Sequence, residues 1–192
     1  RETVVAISEL IEYYKGIFTT LSSCASRQLE EVTFRRATIS VPELMATAGK
    51  YFRKVYKGNK AHIDFKIQLL EGRITGDWNQ LRFLLENLID EACSVTLDGA
   101  VCLSAREDGE FIRFLFTDMR REKTREELNQ LFYPDLSRMT AGEKGELYGT
   151  EYLVCKQIIR DHDEFAGRRG CRINAEPGKE GGFTIYFTLP KK

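Results

Sequence analysis

The sequence lacks an excess of charge of either sign. Its 192 residues include 29 basic and 29 acidic side chains, so the formal net charge is zero. A neutral chain creates no long-range field that would attract nucleic acid, an anionic membrane or a polyanionic substrate. With 42% hydrophobic and 30% charged residues, the composition is typical of a globular protein with one sizeable core. Any basic site must be local.

Cysteine is scarce, and its spacing carries no motif. The cysteines are odd in number and scattered, and no two of them form a CxxC pair. This gives no support to a zinc site or to dithiol exchange. We expect reduced, mostly buried thiols of a cytosolic domain. They stand at Cys24, Cys93, Cys102, Cys155 and Cys171.

Long hydrophobic runs are missing. No segment approaches the roughly 18 consecutive apolar residues of a membrane span, and no charged-then-apolar signal peptide opens the chain. We therefore expect a cytoplasmic segment with no membrane contact of its own. Because the chain begins at Arg1 rather than Met, we expect it to be cut from a longer protein, and a membrane anchor upstream stays open as an alternative.

What the sequence has instead is a heptad pattern near its start. From Val4 to Ala25, apolar residues follow a three-four spacing over three heptads, the seam of a coiled coil or helical hairpin. This predicts a long N-terminal helix in residues 1–33 and a homodimer formed through it. The alternative is a helix lying on the core of its own domain. The predicted dimer contacts are Val4, Ile7, Ile11, Tyr14, Phe18 and Leu21.

The remaining residues predict one domain that mixes strands and helices. Alternating apolar and polar residues indicate half-buried strands, and Asp-Gly is a strong hairpin signal. Strands gathered into one mixed sheet, with helices on one face, give an α+β two-layer sandwich. The expected order is a short strand at 38–41, a helix from Pro42 to about Lys57, a strand at 62–69, a turn near 71–77, a helix from Trp78, hairpin strands from Ala100 and Phe111, a charged helix at 121–132, a glycine-bearing loop, a helix at 150–161 and a closing hairpin.

One stretch of the helix from Trp78, ENLIDEACS at 86–94, raises a question. Leucine and isoleucine at helical spacing give this helix a broad core face. Asn87, Asp90, Glu91 and Ser94 nevertheless fall together on another face. A helix built only for burial does not need such a polar side.

Three stretches carry a family pattern. LVCKQIIRDH is similar to AIVKQIVEAH, and RINAEPGKEGGFTIYFTLP is similar to I.VESEPGKGTTFYFTLP. GDWNQLRFLLENLIDEACS matches the N-box pattern D..RL.QVL.NLLDNA at Asp77, Leu81, Asn87, Leu88, Asp90 and Ala92. On these residues the chain resembles the ATP-binding domain of sensor histidine kinases, in the histidine-kinase-like ATPase (GHKL) family. The resemblance implies a Bergerat fold for residues 34–192, preceded at 1–33 by a remnant of the phosphotransfer helical hairpin.

The resemblance also implies a nucleotide site, and its boxes are altered here. In the N box, Asn87 is kept, but the family's Mg²⁺-binding Asn is Glu91, which is a metal ligand only if Mg²⁺ is bound. The G1 box, DNGxG in the family, is DMRRE. Asp118 matches the carboxylate that accepts the adenine amino group. Arg120 and Glu122 replace both glycines, so the backbone freedom of the lid hinge is lost.

The G2 box keeps one glycine. LYGTEYLVC aligns with GxGLGLAIV through Gly149, with Leu147 and Glu151 at the outer glycine positions. Those glycines present backbone N–H groups to phosphates, so Glu151 places an anion where an anion should bind. Thr184 matches the hydroxyl that assists Asp118 and a water at adenine. We therefore expect the adenine end to be better preserved than the phosphate end.

These changes favour a degenerate kinase-like domain. We expect a regulatory or dimerisation module of bacterial two-component signalling, with a signalling protein as partner, no catalytic residues, and weak or no binding of ATP or ADP with Mg²⁺. We expect no counterpart, within these 192 residues, of the helix that carries the family's phospho-accepting histidine, and whether one lies upstream of Arg1 stays open. We expect His62 and His162 at a surface or interface. The alternative is an active ATP-dependent protein-histidine kinase.

Two further functions stay open as alternatives. The segment KYFRKVYKGNK interleaves basic and aromatic residues between Lys50 and Lys60, as nucleic-acid-binding surfaces do. An ordinary helix with solvated lysines and buried rings accounts for it equally well. RDHDE groups Asp161, His162, Asp163 and Glu164, a set that contains metal-ligand types. A charged helix end explains the same letters.

Overall fold

The computed structural model describes residues 34–56, 61–132 and 150–192. The predicted N-terminal helix, with its dimer contacts from Val4 to Leu21, lies outside these ranges, as does Gly149. Within the described ranges, no helix combines the length and the apolar character that crossing a membrane requires.

The described residues form strands and helices in the predicted order, with one additional strand at 73–76. The strands are β1 Ala37–Ser40, β2 Ile63–Gln68, β3 Arg73–Gly76, β4 Gly99–Asp108, β5 Phe111–Asp118, β6 Ile173–Pro177 and β7 Phe183–Pro190. The helices are α1 Val41–Tyr56, α2 Trp78–Ser94, α3 Arg125–Gln130 and α4 Thr150–Phe165.

Five strands form the main sheet in the order β2-β4-β5-β7-β6. The β2–β4 pair is parallel, and each of the other neighbouring pairs is antiparallel. The sheet is therefore mixed, as predicted, and both predicted hairpins form. The start of β4, the end of β5 and the start of β7 lie side by side, at Val101, Asp118 and Phe183. The G1 box, which begins at Asp118, is therefore at one end of the central strands.

The turn expected near 71–77 is wrong for its second half. Residues 73–76 form β3, which pairs antiparallel with β1 in a separate two-stranded ribbon. The four residues of β3 are too few to display an alternating pattern, and Ile74 is the strand's one large apolar residue. The strand exists because β1 supplies its hydrogen bonds, a long-range pairing that local sequence does not reveal.

The core lies between the main sheet and the helices α1, α2 and α4. α2 buries the apolar face predicted for it, and the inward face of β5 and β7 supplies large aromatic side chains. Phe114 and Phe187 stack with ring centroids 5.0 Å apart. The helical residues of this core include Leu44, Met45, Leu81, Leu84, Leu85, Leu88, Ile89, Cys155 and Ile158. The helices thus form one layer and the sheet the other, as a two-layer sandwich requires.

Candidate functional site

The last residue of β5 and the first residue of β7 face the same side of the sheet. Asp118 lies directly opposite Phe183 in the antiparallel register. Both side chains are buried on the inward face, where Phe116 and Ile185 follow at the next inward positions. The carboxylate of Asp118 therefore shares its surroundings with a phenyl ring.

Thr184 does not lie beside Asp118, which corrects the expectation that the two act together. Thr184 is opposite Thr117, and their hydroxyl oxygens are 2.9 Å apart. Successive residues of a strand point to opposite faces, so the position next to Phe183 turns outward. Asp118 and Thr184 therefore lie on opposite faces of the sheet.

The Asp118 carboxylate is held by Arg120, two residues further along. Its Oδ1 accepts from the Arg120 backbone N–H at 3.0 Å and from Nε at 2.9 Å, and its Oδ2 accepts from Nη2 at 2.8 Å. The two side chains are 1% and 0% exposed. This is a bidentate and fully buried ion pair, the geometry for which a guanidinium is best suited.

The rest of the Arg120 side chain is bound as well. Nη2 also donates to the Ala92 carbonyl at 2.7 Å, and Nη1 donates to the Leu97 carbonyl at 3.1 Å. Gly99 makes the space, since a Cβ there would lie 2.9 Å from the Arg120 Cγ. The guanidinium therefore links β5 to the end of α2 and to the segment before β4.

Arg121 extends this cluster towards α2. Its Nε donates to the Asp118 Oδ2 at 2.9 Å, and its Nη1 donates to the Glu91 Oε1 at 3.0 Å. The guanidinium lies over the Phe183 ring at 5.4 Å from the centroid, as the Lys123 ammonium does, within cation–π range. We call Glu91, Asp118, Arg120 and Arg121 the arginine cluster.

Electrostatics favour the ionised forms of Asp118 and Arg121. Burial alone would raise the pKa of the Asp118 carboxyl, but the hydrogen bonds from Arg120 and the charge of Arg121 outweigh it, so that pKa is below its ordinary value. Burial would lower the pKa of Arg121, and the charges of Asp118 and Glu91 raise it instead. Two carboxylates and two guanidinium groups thus balance each other.

The polar residues of ENLIDEACS divide between two sides of α2. Asp90 accepts from the Tyr51 hydroxyl of α1 at 2.9 Å, whereas Glu91 belongs to the arginine cluster. Asn87 lies four residues before Glu91 on the same stripe, and its Nδ2 donates to the Phe83 carbonyl at 2.8 Å. The polar side is therefore one interhelical contact plus one charged contact, rather than a single surface.

Comparison with known proteins decides the family. The family described as "Histidine kinase-, DNA gyrase B-, and HSP90-like ATPase" matches residues 76–192. These residues hold α2, the arginine cluster and the whole of the sheet except β2. The chain belongs to this ATPase family.

Individual relatives of the ATPase family agree with this. The chain is 26% identical over 176 residues to the adaptive-response sensory kinase SasA of Thermosynechococcus vestitus, across 91% of this chain and 44% of that kinase. It therefore spans less than half the length of this curated relative.

Solved structures share the fold at low identity. Full-length ShkA in complex with AMPPNP has a TM-score of 0.70 at 15% identity, covering 100% of this chain and 39% of ShkA. The histidine kinase AdeS of Acinetobacter baumannii has a TM-score of 0.64 at 13% identity, covering 100% of this chain and 83% of AdeS. The expectation of a Bergerat-type histidine-kinase ATPase fold is confirmed.

In this ATPase-family chain, the described residues at the expected adenine and metal positions are already paired with other side chains. Both oxygens of Asp118 are already hydrogen-bonded, Phe183 occupies the inward position opposite it, and the Glu91 carboxylate is paired with Arg121. At the adenine position Asp118 is thus already paired within the chain, and the expected difference between the adenine end and the phosphate end stays a prediction. Gly149, the one glycine kept in the G2 box, lies outside the described residues.

The metal alternative at RDHDE is wrong for the described residues. His162 is completely buried, not at a surface or interface as expected. Asp163 accepts from the backbone N–H groups of Gly170 and Cys171 at 2.6 and 2.9 Å, and Asp161 accepts from Gln157. Across the described ranges, no three His, Cys, Asp or Glu side chains group as a metal site would need. Helix α4 continues through all four letters to Phe165, four residues past its predicted end.

The aromatic residues of the Lys50–Lys60 segment are engaged inside the fold. Phe52 is buried and stacks between Tyr56, at 5.1 Å, and Phe65 of β2, at 4.5 Å. Tyr51 is hydrogen-bonded to Asp90. Rings held in this way are not free to stack on bases, so the ordinary-helix interpretation is the better one.

Proposed function

We propose that this chain is a degenerate histidine-kinase ATPase-like domain with weak or no ATP binding, acting as a regulatory and dimerisation module in bacterial signal transduction. One observation carries the proposal. The carboxylate that would accept the adenine amino group, Asp118, is buried and hydrogen-bonded through both oxygens to Arg120 and Arg121. The chain supplies its own cation where a nucleotide would need a free acceptor.

The energies favour the internal partner over adenine. An adenine amino group offers Asp118 one N–H, and a hydrogen bond to a charged group contributes about 1.5–3 kcal/mol. Removing one member of a buried ion pair costs about 3–5 kcal/mol. The exchange is therefore unfavourable even before the space taken by Phe183 is considered.

The same reasoning applies to Mg²⁺. Mg²⁺ prefers oxygen ligands in octahedral geometry, and Glu91 is the one carboxylate at the family's metal position. Glu91 already pairs with Arg121 at 3.0 Å, with side chains that are 21% and 13% exposed. A dication placed there would have to displace the guanidinium or lie beside it.

Signalling and assembly complete the proposal. The relative SasA is a sensory kinase by its description, and the histidine kinase ThkA has been solved in complex with the response regulator protein TrrA. For this chain, we propose a homodimer through Val4, Ile7, Ile11, Tyr14, Phe18 and Leu21, and a signalling-protein partner. We propose no phosphoryl transfer, because Asp118 and Glu91, at the expected adenine and metal positions, are both paired with arginines.

Isothermal titration with ATP and ADP, each with and without Mg²⁺, tests the nucleotide part directly. We expect no heat of binding from the unaltered chain at nucleotide concentrations of about 1 mM, since that limit corresponds to only about 4 kcal/mol of binding free energy. A micromolar Kd for Mg-ATP would contradict the proposal and favour the active kinase. Hydrolysis of ATP above that of buffer would have the same meaning.

A further inference from the structure

The three residues that directly follow the N-terminal segment each contact a different part of the domain. The Phe34 ring meets the His162 ring edge-on, with centroids 4.9 Å apart, and lies 5.8 Å from the Phe165 ring. The Arg35 backbone N–H donates to the Asp77 Oδ2 at 2.8 Å.

Arg36 makes the third contact, with the loop after α4. A Cβ on Gly167 would collide with the Arg36 guanidinium at its Cζ and at both terminal nitrogens. Gly167 also has a φ of +91°, a conformation that a side chain rarely adopts. Glycine here lets the guanidinium lie directly against the loop backbone.

Asp77 ties this connection to the start of α2. Its Oδ1 caps the helix by accepting from the Asn79 and Gln80 N–H groups at 2.9 and 3.1 Å, which leaves Oδ2 for Arg35. Asp77 is 4% exposed. One carboxylate therefore serves the helix with one oxygen and the preceding segment with the other.

His162 connects Asp77 to the end of α4. Its Nε2 accepts from the Asp77 backbone N–H at 3.0 Å, so Nδ1 carries the proton and donates to the Ile158 carbonyl at 2.7 Å. The ring fits because residue 76 is glycine, whose added Cβ would lie 2.9 Å from Nε2. The ends of two helices and the chain that follows residue 33 thus converge on one buried imidazole.

We propose that residues 34–36 form a latch that fastens the chain before β1 to the start of α2 and the end of α4. The latch joins backbone, ring and guanidinium contacts from three consecutive residues, so it fixes the position of the chain where it enters β1. It does not depend on the arginine cluster, and it holds whether or not the site binds nucleotide.

The variant Asp77→Asn separates the latch from the helix cap. Asn caps a helix N-terminus about as well as Asp, with its carbonyl oxygen in place of Oδ1. Its NH₂ group would then face the Arg35 N–H, donor against donor. We expect hydrogen exchange at the Arg35 amide of the 1–192 chain to rise about tenfold or more, since a hydrogen bond to a charged group is lost, while the thermal midpoint falls by only a few degrees.

Trypsin reports on the same contact, because Arg35 and Arg36 are themselves cleavage sites. We expect Asp77→Asn to accelerate cleavage after these two residues and not after Arg106 or Arg113 in the sheet. Gly167→Ala should do the same by displacing the Arg36 guanidinium. Gly109→Ala is the matched control: it has a positive φ of +59°, but an added Cβ meets nothing within 4 Å.

The pattern of exchange and cleavage distinguishes a released latch from a destabilised domain. Faster exchange and cleavage confined to residues 34–36, with an unchanged response in Gly109→Ala, support the latch. Unchanged cleavage in both Asp77→Asn and Gly167→Ala would overturn it. Acceleration at every tryptic site equally would also overturn it, because that is the signature of a destabilised domain rather than a released segment.

Discussion

At the scale of the residue, the decisive feature is Arg120, a charged side chain at a position where the family pattern has a flexible glycine. The sequence alone predicts from this change only a loss of backbone freedom. The structure shows that Arg120 makes four side-chain hydrogen bonds, two of them to Asp118. The sequence could identify both residues but not their pairing, since a side chain that folds back two positions leaves no periodic signal.

The variant Arg120→Ala tests the energetic role of that side chain. It should leave Asp118 buried beside Arg121 alone and lower the free energy of unfolding by about 3–5 kcal/mol, measured by urea denaturation. Arg113→Ala is the control, because Arg113 also pairs with an aspartate, Asp108, but that carboxylate is 38% exposed. Its cost should be about 1 kcal/mol or less. Equal losses in the two variants would contradict the buried-pair interpretation.

His162 gives the domain a pH dependence of known sign. Burial lowers the pKa of His162 in the folded chain below its ordinary value of 6.5. As the pH falls below 6.5, this histidine binds a proton in the unfolded chain but stays neutral in the folded chain. The free energy of unfolding therefore falls, by at most about 1.4 kcal/mol per pH unit. This stability is present above pH 6.5 and is lost on acidification.

The measurement is urea denaturation between pH 5 and pH 7.5. His162→Gln should remove the slope just below pH 6.5, because the variant has nothing to titrate there. His62→Gln is the control, since His62 is exposed before β2 and should keep the slope. Carboxylates with lowered pKa values, such as Asp118 and Asp163, act in the same direction but at pH values below about 4.

At the scale of the element, what the sequence predicted well was periodic and what it missed depended on partners. α1, α2, both hairpins and the mixed sheet follow from apolar spacing and turn residues. The strand β3 was missed because its pairing with β1 is long-range. The end of α4 was placed too early because Asp161 to Glu164 look like a charged terminus, although the helix buries His162 among them.

The register of β5 and β7 can be tested through Thr117 and Thr184. If their hydroxyls bond on the outward face, Thr117→Val and Thr184→Val should each cost about 1 kcal/mol by leaving the other hydroxyl unpaired. The double variant should cost less than the sum of the two, measured as a double-mutant cycle in urea. Strict additivity would mean that Thr184 faces elsewhere, including towards Asp118.

At the scale of the whole molecule, family and fold follow from the sequence, and the state of the site does not. Three motif stretches were enough to predict the ATPase-family fold that residues 76–192 match. Whether the site is open or filled depends on which face Phe183 and Thr184 occupy and on where two arginines point. A shift of the β5–β7 register by one residue would exchange the faces of Phe183 and Thr184 and leave the sequence motif the same.

Assembly is tested at the same scale. Ile11→Asp places a charge in the predicted heptad seam, where an unpaired buried charge is strongly unfavourable. We expect sedimentation velocity to show a dimer for the unaltered chain and a monomer for the variant. Substitution of Lys15, which lies off the seam, with Asp should leave the dimer in place. A monomeric unaltered chain would refute the homodimer.

The buried pair of Asp118 and Arg120 also bears on how such a chain changes over generations. Replacing either residue alone leaves a charge without its partner inside the protein, so each protects the other against single substitutions. Under the proposed function, this mutual protection would keep an aspartate at position 118 even in a chain that binds no nucleotide. A motif search that scores Asp118 as a nucleotide contact would then be scoring one half of a structural ion pair.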